Sequence, residues 1–269
     1  MGAVGTRGPY YNPGMARETM AERKVRAVKV LDLLDQAMPD AHIELDYRTP
    51  LQLITAVILS AQCTDKRVNM VTPALFARYP DARSLADADT RELEGMIRSC
   101  GFFRSKAKSL KGMAGAVADL HGGQVPTSRA ELAALPGVGP KTAGVVTVHL
   151  GGEPAFPVDT HVKRLSRRLG FTRQEDPSRI EEDLQALVPR DRWGKGHQLL
   201  IWHGRRTCFA RSPACERCVV RELCPRIGVA KAKATVVKSL RPPRAASVVP
   251  PRPRRRGQRR KPRRMAAAR

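Results

Sequence analysis

Three groups of residues in this chain have the types and spacing to do chemistry. The first is Leu135-Pro136-Gly137-Val138-Gly139-Pro140-Lys141-Thr142-Ala143. One helix is predicted to end at Leu135 and another to open at Pro140, a residue suited to the first helical position. Two glycines make the turn between them. This is a helix-hairpin-helix pattern, in which converging backbone N–H groups and a helix N-terminus can grip a phosphate oxygen. It is not a Walker loop, because the Gly-x4-Gly-Lys spacing is absent. The second group is Phe156-Pro157-Val158-Asp159-Thr160-His161-Val162-Lys163-Arg164, with Asp159 eighteen residues after Lys141. Alone, Asp159 reads as a helix cap and His161 as a packing residue. Only one helix and a loop separate Asp159 from Lys141, however. A lysine near a helix N-terminus and other cations is destabilised in its charged form, which frees an amine for attack. A carboxylate beside it would steer protons and offset charge in an oxocarbenium-like sugar.

The third group is Cys208-x6-Cys215-x2-Cys218-x5-Cys224, four of the six cysteines within seventeen residues. Cys63 and Cys100 stand apart and read as core thiols. A clustered set without a secretion signal points to metal binding rather than to disulfides. Four thiolates suit Zn²⁺ or an iron–sulfur cluster equally by softness. A zinc ribbon pairs two close knuckles and here there is one Cys-x2-Cys, a modest tilt toward a cluster. Arg205, Arg206, Arg211, Arg217 and Arg221 surround the ligands, either as a solvated rim or as contacts to a phosphate backbone.

The elements that must position these groups are helical. Apolar residues recur at helical spacing around 25–34, 51–58, 65–79, 91–99, 105–121, 129–134, 141–150, 160–169, 177–188 and 196–206. Asp65, Ser128, Asp159 and Ser178 stand where N-caps are expected. Val145-Val146-Thr147-Val148 is the one run with strand character. With 42% hydrophobic residues the chain as a whole is not disordered. The longest apolar stretch, Leu51 to Ala61, is interrupted and too short to span a bilayer, and no signal-peptide core follows the N-terminus. A cytoplasmic protein with no membrane contact is expected.

The charge is uneven. Lys and Arg number 49 against 25 Asp and Glu, a net +24, and residues 229–269 hold fifteen of the basic residues and no acidic one. That tail has no apolar period and six prolines between 242 and 262, so it is expected to be disordered. Such an arm gains affinity for a polyanion through counterion release without reading sequence.

Taken together and in order, these motifs resemble the endonuclease III family of the helix-hairpin-helix superfamily. The resemblance runs through Leu59-Ser60-Ala61-Gln62-Cys63-Thr64-Asp65, the hairpin with Lys141, Val158-Asp159-Thr160-His161, Leu200-Ile201-Trp202-His203-Gly204-Arg205 and the four cysteines, over residues 22–228. It implies an all-α DNA glycosylase fold of two helical lobes with a DNA-binding cleft and an iron–sulfur loop. Residues 43–153 would form a barrel-like lobe with the hairpin; 22–42 and 154–228 would form the cluster lobe; 1–21 and 229–269 would be disordered extensions. It further implies a [4Fe–4S] cluster on Cys208, Cys215, Cys218 and Cys224, and a monomer acting on double-stranded DNA that contains damaged pyrimidines or abasic sites.

By the same resemblance, Lys141 attacks the sugar C1′ and Asp159 assists. Gln62 fills the gap left by a flipped nucleotide, and Phe102 stands where the family carries an apolar wedge, often Leu. Gly137, Val138, Gly139 and Thr142 of the hairpin, with Arg205 and Arg211, would contact DNA. Pro140 departs from the basic residue often found before the lysine, which removes one phosphate contact. A monofunctional adenine glycosylase shares the hairpin, aspartate and cysteines but lacks the lysine, and a non-catalytic DNA-binding module would need neither Lys141 nor Asp159. Deleting residues 229–269 should weaken binding to undamaged DNA and flatten its salt dependence, measured by titration at several salt concentrations; an unchanged slope would remove the tail from DNA binding.

Overall fold

The computed structural model describes residues 18–229, and among them every regular element is helical. The α-helices are α1 (Met20–Ala37), α2 (Pro50–Ser60), α3 (Asp65–Arg78), α4 (Ala82–Ala86), α5 (Thr90–Ile97), α6 (Phe103–Leu120), α7 (Arg129–Ala134), α8 (Pro140–His149), α9 (Thr160–Arg168), α10 (Pro177–Leu187) and α11 (Trp193–Arg206). Short side chains that accept from the first-turn amides start most of them: Thr19, Thr49, Thr64, Asp81, Asp89, Asp159 and Asp176. Two expected caps move upstream. Thr64, not Asp65, caps α3, which leaves Asp65 in the first turn where a carboxylate suits the helix dipole. Asp176, not Ser178, caps α10, because Pro177 takes the first helical position. Val145–Val148 lies inside α8, where burial of Val145, Val146 and Thr147 outweighs their β preference. Among the described residues no helix is long and apolar enough to cross a membrane.

The N-terminal boundary differs from the expected 1–21. Thr19 and Glu22 form a capping box, so α1 begins at Met20. Glu18 pairs with Arg23 at 3.2 Å and with Arg26 at 2.6 Å. Buried Arg26 also donates to the carbonyls of Leu169 at 2.7 Å and Leu223 at 3.2 Å. Residues 18–21 therefore belong to the folded unit. The rest of the expected N-terminal extension and the basic tail beyond Val229 lie outside the described residues.

Two apolar cores organise the chain. One is built by α2 to α8, around Leu53, Ile54, Leu59, Leu93, Leu110 and Met113. The other joins α1 to α9, α10 and α11, around Leu31, Leu34, Phe156, Leu165, Ile180 and Leu199. Gly196 lets α11 approach closely there: a Cβ would stand 3.1 Å from the Phe156 ring and 3.2 Å from Leu31. Where the cores meet, Arg129 at the start of α7 makes a two-pronged ion pair with Glu181 of α10, at 2.8 and 2.7 Å. Glu181 also accepts from the Phe156 amide at 3.2 Å. Arg129→Met would strand this largely buried carboxylate and should cost about 2 kcal/mol, read as a lower melting temperature. Glu181→Gln should then cost less in that background than alone; equal costs would mean the pair is not coupled.

Candidate active site and cluster loop

The hairpin turn between α7 and α8 depends on one glycine. Gly137 has φ +76°, and a Cβ there would stand 2.4 Å from that of Ser109 in α6. Leu135 and Val138 are buried as anchors, and the Val138 amide closes the turn on the Leu135 carbonyl at 3.1 Å. Val138 thus presents only its main chain to a ligand. Gly139 is the N-cap of α8, with no side-chain cap and open space where its Cβ would be. Among the described residues nothing accepts from the amides of Gly139, Lys141 or Thr142. Unpaired amides at a positive helix end form an anion site.

Lys141, exposed in the first turn of α8, and Asp159, the N-cap of α9, line one cleft with about 510 Å³ of open space. They come from different cores. Asp159 Oδ1 accepts from the Val162 amide at 2.7 Å, so the cap role read from sequence is real. Among the described residues neither Lys141 nor Asp159 forms an ion pair. Lys141 and Asp159 are thus brought together without neutralising each other.

Sequence reasoning missed the floor of the cleft. His197, buried in α11, has Nδ1 2.7 Å from the Pro157 carbonyl, so that nitrogen carries the hydrogen. Burial pushes its pKa down to about 4 although Asp159 and the carbonyl oppose this, leaving a neutral imidazole at neutral pH. Gln198 donates from Nε2 to His149 Nε2 at 3.2 Å, and His149 Nδ1 in turn lies 2.8 Å from the Val145 carbonyl. The available signal was a polar pair inside the apolar face of α11. His161, partly buried, accepts from Arg164 at 3.2 Å, and burial lowers its pKa too.

Arg205 is placed at the cleft but is already engaged. It pairs with Glu44 and, at 2.8 Å, with Asp65. Burial works against its charge, but these two carboxylates outweigh that and raise its pKa. Arg206 shares Glu44 at 2.9 Å and lies over the Trp202 ring at 3.4 Å. Arg211 is exposed and, among the described residues, makes no ion pair.

Gln62 and Phe102 stand on strained backbone. Gln62 has φ +53° and Phe102 φ +45°, a left-handed conformation costing a residue with a Cβ about 1–2 kcal/mol. Both are exposed, Phe102 at 67%, so its ring is not core material. Ser60 and Asp65, on either side of Gln62, line the cleft, so the strained backbone at Gln62 adjoins it.

The four cysteines line a single cavity of about 420 Å³ with Leu165, Leu169, His203 and Val220. Two 3₁₀ turns, Cys215–Arg217 and Arg221–Leu223, pace them. None of the four is in a disulfide. Among the described residues no three His, Cys, Asp or Glu side chains converge tightly enough to hold one metal ion. Thiols spread around one apolar cavity fit a polynuclear cluster better than a single zinc ion. Arg168 donates to Cys208 Sγ at 3.3 Å and His203 Nε2 lies 3.5 Å from Cys218 Sγ, supplying outer contacts to the sulfurs. Burial pushes the Cys224 thiol up to about 11, so bound metal must draw its proton away.

Residues 55–190 match the family model for the HhH-GPD superfamily base excision DNA repair proteins, and residues 208–224 match the iron–sulfur binding domain of endonuclease III. Endonuclease III of Synechocystis is 52% identical over 207 residues, covering 77% of this chain and 94% of that protein. The Escherichia coli K12 enzyme is 36% identical over 201 residues, covering 75% and 95%. A trapped endonuclease III–DNA covalent intermediate superposes with a TM-score of 0.72 at 42% identity, over 75% of this chain and 95% of that one. The expected all-α glycosylase fold and cluster type therefore hold. The chain belongs to the endonuclease III family: it is a DNA-binding base-excision repair enzyme, a DNA glycosylase and abasic-site lyase with a [4Fe–4S] cluster.

Proposed function

We propose that this enzyme removes oxidised pyrimidines from double-stranded DNA and cleaves the resulting abasic site with Lys141 as nucleophile. The observation that carries the assignment is that Lys141 and Asp159, rooted in separate cores, line one open cleft with neither tied into an ion pair. The lesion-bearing nucleotide is rotated out of the duplex into this cleft. The Lys141 amine, in its neutral form, attacks C1′ and the base departs with a proton. The nitrogen then loses a proton as the sugar ring opens, giving a Schiff base between Nζ and C1′. Loss of a C2′ proton expels the 3′ phosphate by β-elimination, and water hydrolyses the imine to release Lys141. Asp159, with one oxygen held by the α9 amide, has the other available to move protons and to balance positive charge on the sugar. A covalent DNA intermediate captured with an endonuclease III supports the same route here.

Around this chemistry, the hairpin amides of Gly139, Lys141 and Thr142 hold a backbone phosphate. Gln62 and Phe102 enter the duplex, the first filling the vacated position and the second wedging between bases. Arg211 contacts phosphate from the cluster loop, whereas Arg205, held by Glu44 and Asp65, keeps one wall of the cleft close to neutral. The cluster shapes the loop and takes no part in bond breaking; Cys208, Cys215, Cys218 and Cys224 hold it. Both reacting groups come from one chain, so a monomer suffices, working in the cytoplasm on nucleoid DNA.

Borohydride reduction in the presence of duplex DNA containing thymine glycol should give a covalent protein–DNA adduct that is lost in Lys141→Gln. Asp159→Asn should bind with near-normal affinity while turnover falls at least about a hundredfold. Base release without an adduct would instead indicate a monofunctional glycosylase, and binding without release a mere binding module. Gly137→Ala should lower both melting temperature and DNA affinity, because the turn must shift. Gly139→Ala should leave melting temperature nearly unchanged and weaken DNA binding alone, measured by titration with an undamaged duplex.

A further inference from the structure

Behind the two strained loops lies one buried ammonium. Lys106, in the first turns of α6, is 5% exposed. Its Nζ donates to the Leu59 carbonyl and to the Cys100 carbonyl, each at 2.8 Å. Leu59 lies three residues before Gln62, and Cys100 two before Phe102. The Lys106 backbone amide also donates to the Phe102 carbonyl at 3.0 Å. One residue therefore grips the base of both loops.

The end of α2 shows what an ammonium supplies. A helix ends with four carbonyls that lack intrahelical donors. Here Val57 accepts from Ser60 Oγ at 2.8 Å, Ile58 from the Ala61 amide at 3.4 Å and Ser60 from the Cys63 amide at 3.1 Å. Leu59 is left to Lys106, whose charge also faces the negative end of the helix dipole. Among the described residues no carboxylate pairs with this ammonium, so its burial is offset by carbonyls from two separate segments. An apolar side chain would fill the same space at lower cost but could not join them.

We propose that Lys106 is a positioning residue, whose ammonium ties the end of α2 to the turn before α6 so that Gln62 and Phe102 enter the duplex as one unit. This rests on the duplex-entering roles given to those two side chains above. Lys106 does not touch the reacting sugar, so its effect should depend on whether a duplex must be opened.

Two substrates separate positioning from simple stabilisation: a thymine glycol duplex, and a single-stranded oligonucleotide with an abasic site. Assayed well below their melting temperatures, Lys106→Met should release base from the duplex about tenfold more slowly than the parent enzyme. It should cleave the single strand at the parent rate. A 2-aminopurine placed beside the lesion should brighten less on binding, and Lys106→Arg, which keeps donors for both carbonyls, should restore both signals. In a Gln62→Ala/Phe102→Ala background, Lys106→Met should add no further loss. Equal loss on both substrates, no loss on the duplex, or a full additional loss without the two probes would overturn the proposal. If Lys106→Met does not fold, Lys106→Gln, with donors enough for one carbonyl, is judged by the same outcomes. Failure of the parent enzyme to form a borohydride-trapped adduct with the thymine glycol duplex would overturn the assignment of Lys141 as nucleophile, and this inference with it.

Discussion

The proposed reaction depends on keeping an amine and a carboxylate from two different apolar cores in one cleft without letting them pair. Lys141 is fixed by the glycine turn that packs on α6, and Asp159 by its own cap bond to α9. Their relative placement is then a property of the junction between the cores. Arg129 and Glu181 hold that junction from the hairpin side, Arg26 ties α1 to the end of α9 and the cluster loop, and the Pro157 carbonyl is pinned by His197. Proximity contributes to catalysis only when the geometry is held to within about an ångström, so the proposed mechanism would need these remote contacts as well as Lys141 and Asp159.

Charge in the cleft is distributed with the same economy. The hairpin amides offer a positive end to a phosphate, while Glu44 and Asp65, which would repel DNA, are absorbed by Arg205 and Arg206. Burial keeps His197 and His149 neutral against the opposing pull of the carbonyls that orient their rings, so the floor adds hydrogen-bonding order without adding charge. Among the described residues, the unpaired charges lining the cleft are Lys141 and Asp159, the two groups to which the reaction is assigned above.

Much of this was legible in the sequence, and the parts that were not share a cause. Helices of eight or more residues announced themselves through apolar period, and the hairpin, Lys141, Asp159 and the four cysteines through local spacing. α4 and the 3₁₀ turns are too short to show a period. Caps were misplaced at α3 and α10 because Thr64–Asp65 and Asp176–Ser178 each offer two competent side chains, and only backbone geometry chooses between them. Arg129 and Glu181 are fifty-two residues apart, and Lys106 is forty-seven from Leu59; no local pattern marks such partners. The ion pairs of Arg205 were not visible because Glu44 and Asp65 are distant from it in sequence. The left-handed backbone at Gln62 and Phe102 was invisible for the opposite reason: sequence preference argues against it, and the surrounding fold enforces it.

In the proposed reaction one particular nitrogen makes the bond to DNA. Peptide mapping by mass spectrometry of the reduced protein–DNA adduct tests it directly. The deoxyribose-derived mass should be carried by the peptide containing Lys141 and assigned to that side chain. A mass found on the N-terminal amine, or on any other lysine, would contradict it.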